Sequence, residues 1–313
     1  RHGGGPRGSV ARPRTRSRLR RPAVVSYRDS TPPLMDARQQ HARRQFARLA
    51  AAPDHALDLA EAALWIGAEE DGPIDVDRYL DRLDELALPL RQRLHPAQPP
   101  RERLDQLLAY LFRERGFHGN EAEYYDPRNS YLHQVLDRRV GLPITLSLVL
   151  IEVARRVGMR LAGVGFPAHF LAVDLDLPQL FIDPFHGGRL LTEYECRVLL
   201  RQKTQGRVEF DRNQLKPVSG RQLLVRVLQN LKSVHTSRGD LDRALAASDR
   251  ILLLAPSAAE EYRDRGLTQL QRRAFRAAVA DLNHYLSLSP MADDRQLIAA
   301  RVAEAHNKAR MVN

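Results

Sequence analysis

Residues 141–188 read GLPITLSLVLIEVARRVGMRLAGVGFPAHFLAVDLDLPQLFIDPFHGG, and this stretch decides the fold. It begins with an apolar helix, in which Pro143 is tolerated because the first helical turn needs no N–H from that residue. Gly158 is the residue type that commonly ends such a helix. The apolar face is wide, so we expect this helix to lie in the interior of its domain.

The pattern of apolar residues changes to that of β-strands after this helix. Residues 161–175 and 180–185 are rich in strand-forming side chains, and the short segment between them contains turn-forming residues. This arrangement is typical of a hairpin. A buried helix followed by paired strands predicts a mixed α+β domain over residues 116–210.

Helical patterns flank this domain on both sides. Over residues 35–115, apolar side chains recur at steps of three and four, which indicates helices that pack on helices. Towards the end of the chain, two similar segments close at Pro256 and Pro290, which lie 34 residues apart. This is the period of the tetratricopeptide repeat, so we expect an all-α array over residues 220–313.

The composition limits the class of protein. A chain of 313 residues with 43% hydrophobic residues can form two or three domains with sizeable cores. The single cysteine excludes an internal disulfide framework and a cysteine-rich zinc site. The apolar runs are far shorter than the ~18 residues that a membrane span needs. The start of the sequence shows no secretion signal, so we expect a cytoplasmic protein.

The net charge of +11 is concentrated at one end of the chain. Residues 1–34 hold nine Arg and one Asp, which leaves 40 basic and 37 acidic side chains for the rest. A segment so rich in Gly, Pro and Arg predicts a disordered tail. Any contact with nucleic acid is expected through this tail alone, because the remaining body is nearly neutral.

His169 and Asp183 are the candidate catalytic pair. If they lie on neighbouring strands, the carboxylate could orient the imidazole as a general base, which makes two thirds of a nucleophilic triad. The alternative is a strand histidine with a satisfied hydrogen bond and an ordinary Asp-Pro turn. Thr145 and Ser147 are the available hydroxyls on the apolar helix, although hydroxyls within a helix usually bond back to the preceding turn.

The other residues that could take part in catalysis or metal binding are interpreted as structural. Cys196 sits within a helical pattern, where a free cysteine usually acts as a small hydrophobic residue. No helical i, i+4 spacing typical of zinc ligands occurs, so we expect no metal site. We also expect no cofactor, since the sequence has no P-loop and no glycine-rich dinucleotide motif. The groups considered as ligands are His118, His133, His169, Asp183 and His186.

Several long motifs carry a family resemblance. They include YYDPRNSYL at residues 124–132, VLDRRVGLPITL at 135–146, GFPAHFL at 165–171, FIDPFHGG at 181–188 and YLDRLD at 79–84. Together they resemble the SirB-type family of bacterial proteins, described as regulators of sirC expression that combine transglutaminase-like and tetratricopeptide domains. The resemblance extends over roughly residues 45–300 of the chain.

The resemblance implies a papain-like α+β core with a Cys-His-Asp triad. His169 and Asp183 fall at the histidine and aspartate positions of the wider superfamily, whereas its cysteine would align near Pro143. No thiol is present in that helix. The resemblance therefore implies a degenerate transglutaminase-like domain without its nucleophile.

We expect from these observations a non-catalytic scaffold or regulatory protein that binds a protein partner through its repeats. Arg226, Gln229 and Arg263 would line the inner face of the array and favour an acidic segment or a terminal carboxylate. The alternative for these three is a solvated helix face. The alternative function is a hydrolase or acyltransferase that uses His169 and Asp183 with a hydroxyl or water as the nucleophile.

Overall fold

The computed structural model describes residues 35–311. The Arg-rich segment 1–34, predicted as a disordered tail and as the candidate arm for nucleic acid, lies outside the described residues. Within the described range, the architecture is mixed α+β, with N-terminal helices, a central domain that contains the sheet and a C-terminal helical array, as the sequence predicts.

Four N-terminal helices form the first layer. They are α1 (Ala37–Ala50), α2 (Leu59–Glu70), α3 (Val76–Arg93) and α4 (Pro100–Leu108), and α4 continues as a π-helical turn, Ala109–Glu114. Side chains of Asp36, Asp58 and Asp75 accept hydrogen bonds from first-turn amides and cap α1, α2 and α3. A short 3₁₀ turn, Asp54–Ala56, lies between α1 and α2.

The central domain is a five-stranded antiparallel sheet between two helical layers. Its elements are α5 (Leu132–Arg138), α6 (Pro143–Arg156), β3 (Leu161–Val164), β4 (Leu171–Asp174), β5 (Phe181–Asp183), β6 (Arg189–Leu191), α7 (Glu193–Thr204) and β7 (Pro217–Val218). The strand order is β6-β5-β4-β3-β7. A separate parallel pair joins β1 (His118–Gly119) to β2 (Val140–Gly141) beside the start of α6.

The expected single β-segment over residues 161–175 is wrong, because the chain reverses within it. Strands β3 and β4 pair antiparallel with Val164 opposite Leu171, and a tight turn joins them. Ala168 in this turn adopts a left-handed φ of 55°, which a straight strand does not contain. The hairpin predicted between the two β-rich stretches is present as β4 and β5.

Alternating side chains cover the two faces of the sheet. Ala172 and Ile182 belong to the main core, which also contains the apolar face of α6. Leu171 and Val173 point the other way and pack with Cys196 of α7. The helix that decides the fold is therefore buried against one face, as its wide apolar stripe predicts, and α7 covers the other.

The C-terminal array consists of five helices. They are α8 (Gly220–Ser237), α9 (Leu241–Leu254), α10 (Ala259–Gln271), α11 (Phe275–Leu288) and α12 (Arg295–Met311). Helices α10 and α11 pack closely at Gly266, where an added Cβ would lie 2.8 Å from Leu282. Leu224 and Leu228 of α8 are buried in the same core as α6, so the array is continuous with the central domain.

A buried ionic cluster also connects these regions. Glu70 of α2 accepts hydrogen bonds from the Tyr131 hydroxyl at 2.8 Å and from His235 of α8 at 2.9 Å. It also pairs with Arg250 of α9, which is fully buried and lies 3.4 Å from Glu69. Burial lowers the pKa of His235 to about 4, so this imidazole is neutral at pH 7.

Candidate functional site

His169 and Asp183 lie in direct contact at one end of the sheet. His169 occupies the turn before β4, and Asp183 is the last residue of β5, the strand next to β4. The Nε2 atom of the imidazole lies 2.9 Å from Oδ1 of the carboxylate. Their side chains are only 2% and 3% exposed. The fourteen-residue spacing spans a hairpin, which brings both side chains to the same end.

Asp183 holds a second histidine, His186, which follows it by three residues in a tight turn. Nδ1 of His186 lies 2.6 Å from Oδ2 of Asp183, and this side chain is 38% exposed. The backbone amides of Phe185 and His186 donate to Oδ1 at 3.2 and 3.4 Å. Burial would raise the pKa of Asp183, but the hydrogen bonds and charges of both imidazoles bring it below its usual value.

Aromatic side chains pack beside the two imidazole rings. The Phe185 ring lies 6.2 Å from the His169 ring and 5.2 Å from the His186 ring, both in edge-to-face geometry. The Tyr124 ring also packs edge-to-face with Phe185, with ring centroids 5.8 Å apart. Gly119 of β1 donates its N–H to the Phe185 carbonyl, and an added Cβ there would lie 2.5 Å from the ring. Glycine is therefore required beside the site.

The two candidate hydroxyls do not face His169. The Thr145 hydroxyl donates to the Asn129 carbonyl at 2.6 Å, and the Ser147 hydroxyl donates to the Pro143 carbonyl at 2.8 Å. Both side chains are fully buried. Among residues 35–311, the hydrogen-bond partner of the His169 ring is Asp183. The Ser147 bond runs back to the preceding turn, as is expected of a hydroxyl within a helix, whereas the Thr145 bond reaches a carbonyl outside the helix.

The single cysteine lies on the opposite face of the sheet. Cys196 is fully buried in α7 among Val164, Leu171 and Val173. Burial raises the pKa of this thiol to about 12, with smaller contributions from Glu195 and Asp183. The thiol is therefore protonated at neutral pH and packs as a small apolar group.

Of the five side chains considered as metal ligands, the structure brings three together. One ligand atom each from His169, Asp183 and His186 lies within 4.8 Å of the others. His133 instead bonds Asp71 at 2.9 Å, and His118 is exposed and bonds the Gly116 carbonyl. The expectation of no metal-ligand group depended on helical spacing, which does not detect ligands that meet across a hairpin.

The three residues predicted to line the repeats have different surroundings. Arg226 of α8 is half-buried near Tyr124. Burial raises the pKa of Tyr124, and the positive charge of Arg226 opposes this change in part. Gln229, one turn further along α8, is exposed. Arg263 of α10 pairs with Asp264 and Asp294, both at 3.2 Å. Within the described part of the chain, Arg226 and Gln229 have no side-chain hydrogen bond or ion pair, whereas Arg263 is already paired.

The described helices include none with the length and apolar character that crossing a membrane would require.

Two family models match almost all of the chain beyond α2. A model of the transglutaminase-like superfamily matches residues 77–229, and a tetratricopeptide-repeat model matches residues 231–303. The first match begins within α3 and ends within α8. The resemblance to a transglutaminase-like domain joined to tetratricopeptide repeats is therefore confirmed.

Several bacterial relatives share this arrangement over most of their length. A UPF0162 protein of Xylella fastidiosa is 39% identical over 264 residues, which cover 83% of this chain and 94% of the relative. A UPF0162 protein of Pseudomonas aeruginosa is 34% identical over 248 residues, 79% of this chain and 90% of the relative. F-box only protein 21 of Mus musculus is 41% identical over 108 residues, 32% of this chain and 17% of that protein. The chain therefore belongs to the UPF0162 protein family.

Proposed function

We propose that this protein is a non-catalytic, protein-binding scaffold with a regulatory role, built on a transglutaminase-like domain that has lost its nucleophile. One observation carries the proposal. His169 and Asp183 form an oriented imidazole–carboxylate pair, but the hydroxyls of Thr145 and Ser147 donate to backbone carbonyls instead. The resemblance implies that the superfamily's cysteine aligns near the start of α6, and Pro143 at that start offers neither a thiol nor an N–H to bind an oxyanion.

The repeats supply the binding role. Tetratricopeptide arrays present helical surfaces to peptides, and the predicted surface here lies on α8 and α10. Lys232 of α8 pairs with Glu261 at 2.7 Å, so much of the charge between these helices is already neutralised. Arg226 and Gln229 stay available on α8, and together they suit an acidic side chain or a terminal carboxylate. We infer a partner that presents such a group.

The test of this proposal needs the full chain. Deleting the repeats would remove Leu224 and Leu228 from the main core and would expose the apolar side chains that pack against them, so the domain that the test must preserve would be destabilised. The full chain is therefore used to capture a partner from a nuclease-treated extract. The affinity of the purified partner is then measured for the wild type and for each variant. We expect Arg226→Glu to weaken binding at least about tenfold, because a charge that contacts the partner is reversed.

Two further variants separate the possible outcomes. Arg201→Glu on α7 makes the same charge change at an exposed position in the other layer, and it should bind the partner normally. His169→Ala should also bind normally if recognition lies on the repeats. Equal loss of binding in Arg201→Glu, or full binding in Arg226→Glu, would contradict the proposed surface.

The alternative function, a hydrolase or acyltransferase, is favoured by the retained His169–Asp183 hydrogen bond at 2.9 Å. Since Thr145 and Ser147 are otherwise engaged, water would be the nucleophile. A screen of amide hydrolysis and acyl transfer with the full chain decides the matter. Turnover that disappears in His169→Ala would replace the scaffold proposal by this one.

The SirB-type resemblance adds a regulatory role in gene expression to the scaffold proposal. We propose that the protein has this role in the cytoplasm. We attribute the role to a protein partner, because the described body is nearly neutral and has little attraction for nucleic acid. Subcellular fractionation tests the location. Contact with nucleic acid through residues 1–34 predicts salt-dependent binding that disappears when this segment is removed.

A further inference from the structure

The group formed by the buried His169 and Asp183 and the partly exposed His186 has the composition of a metal site. It offers two imidazole nitrogens and a carboxylate oxygen, and these atoms all lie within 4.8 Å of one another. Two histidines and one carboxylate are a common donor set for Zn²⁺ sites that keep one coordination position open. Other first-row divalent ions also accept this set, whereas Mg²⁺ and Ca²⁺ prefer oxygen ligands alone.

The two oxygens of Asp183 are used differently. Oδ1 accepts hydrogen bonds from the backbone amides of Phe185 and His186 and from the ring of His169. Within residues 35–311, Oδ2 accepts its hydrogen bond from the ring of His186 alone. A metal ion bound by Oδ2 and by the two ring nitrogens would displace the ring protons and leave both backbone hydrogen bonds to Oδ1 intact. Such outer hydrogen bonds orient a carboxylate ligand and support affinity.

The backbone on both sides of the group is arranged to hold it. Ala168, just before His169, has a left-handed φ of 55°, which is unusual for a residue with a side chain. Gly187 and Gly188, just after His186, have φ values of 71° and 74° and turn the chain sharply. Phe185 packs edge-on against both imidazole rings. Because the three side chains are already confined, binding an ion would cost little ordering entropy.

The group is also open on one side. His169 and Asp183 are buried, whereas His186 is 38% exposed, so an ion would enter past His186. We propose that His169, Asp183 and His186 form a binding site for one divalent transition-metal ion, with Zn²⁺ as the best match to the donor set. The fourth position would be filled by water or by a donor from a bound partner.

Zinc titration of the metal-stripped full chain tests the site. A chromophoric chelator competes for the ion, and Co²⁺ absorption reports the coordination in a parallel titration. We expect one Zn²⁺ per chain. We also expect at least about a tenfold loss of zinc affinity in His186→Gln, because loss of a ligand weakens binding no less than loss of a residue that hydrogen-bonds to a ligand. Zn²⁺ should raise the melting temperature of the wild type and should not raise that of His186→Gln.

A matched control is available nearby. His118 is an exposed histidine outside the group, so His118→Gln should bind Zn²⁺ as the wild type does. His186 is itself partly exposed, and its substitution should leave the fold intact, which circular dichroism verifies. Zinc affinity that is unchanged in His186→Gln, or no binding to the wild type when the chelator is absent, would overturn the proposal.

Discussion

Two groups in the described part of the chain join a buried histidine to a buried carboxylate, and they differ in how the charge is compensated. At the end of the sheet, Asp183 is held between His169 and His186, and the latter reaches solvent. At the junction of α2, α8 and α9, Glu70 is bonded by His235 and pairs with the fully buried Arg250. The first group includes an imidazole that faces solvent and could bind a ligand, which is typical of a functional site. The second is closed and joins helices.

The largest expected effect concerns the closed group. Arg250→Met retains the size of the side chain but removes the positive charge, so Glu70 keeps only neutral donors. We expect the free energy of unfolding to fall by about 3–5 kcal/mol, the usual cost of leaving a buried charge without its partner. Chemical denaturation measures this. Arg201→Met, on an exposed face of α7, should change little. Similar stability of the two variants would break the distinction between the groups.

The next effect concerns acid sensitivity. Burial lowers the pKa of His235 from 6.5 to about 4, so the unfolded chain binds a proton in this range and the native chain does not. Stability therefore falls as the pH drops from 6.5 towards 4, by up to about 3 kcal/mol. His235→Gln, whose amide can still donate to Glu70, should remove this contribution. Unfolding curves at pH 7 and pH 4.5 provide the test. An equal loss in wild type and variant would contradict it.

The smallest effect concerns the open group. In Gly119→Ala the new methyl group would lie 2.5 Å from the Phe185 ring and displace it. Overpacking of this kind costs about 1–3 kcal/mol of stability. Because Phe185 confines both imidazoles, zinc affinity should fall as well. Glu121→Ala, an exposed change in the same loop, is the control. Unaltered zinc affinity in Gly119→Ala would show that Phe185 does not position the rings.

Local patterns were sufficient for much of the architecture. The wide apolar stripe of α6 correctly placed that helix in the core, and the period of 34 residues correctly indicated the repeats. The turn between β3 and β4 was missed because the residues on either side of it are equally strand-forming. The available signal was Gly165 and Pro167, since a Pro within a strand-like run argues against one continuous strand.

The candidate site was predicted in part. His169 and Asp183 were selected from spacing and resemblance, and the structure brings them into contact. His186 was considered only as a metal ligand at helical spacing, so its contact with Asp183 was not foreseen. Its position three residues after Asp183, followed by two glycines, was the available signal. Arg263 was chosen by helical position; its pairing with Asp264 is local to α10, whereas its pairing with Asp294 depends on the loop before α12.

The sequence by itself determined the class of fold, the order of the domains, the buried helix and the absence of a thiol near Pro143, because these follow from local periodicity and composition. Only the tertiary structure decided that α8 shares the core of the central domain. It also decided that Thr145 donates to the distant Asn129 carbonyl, and that three ligand-type side chains meet at one end of the sheet. These properties depend on distances between atoms that are far apart in the chain, and such distances are set when the layers pack.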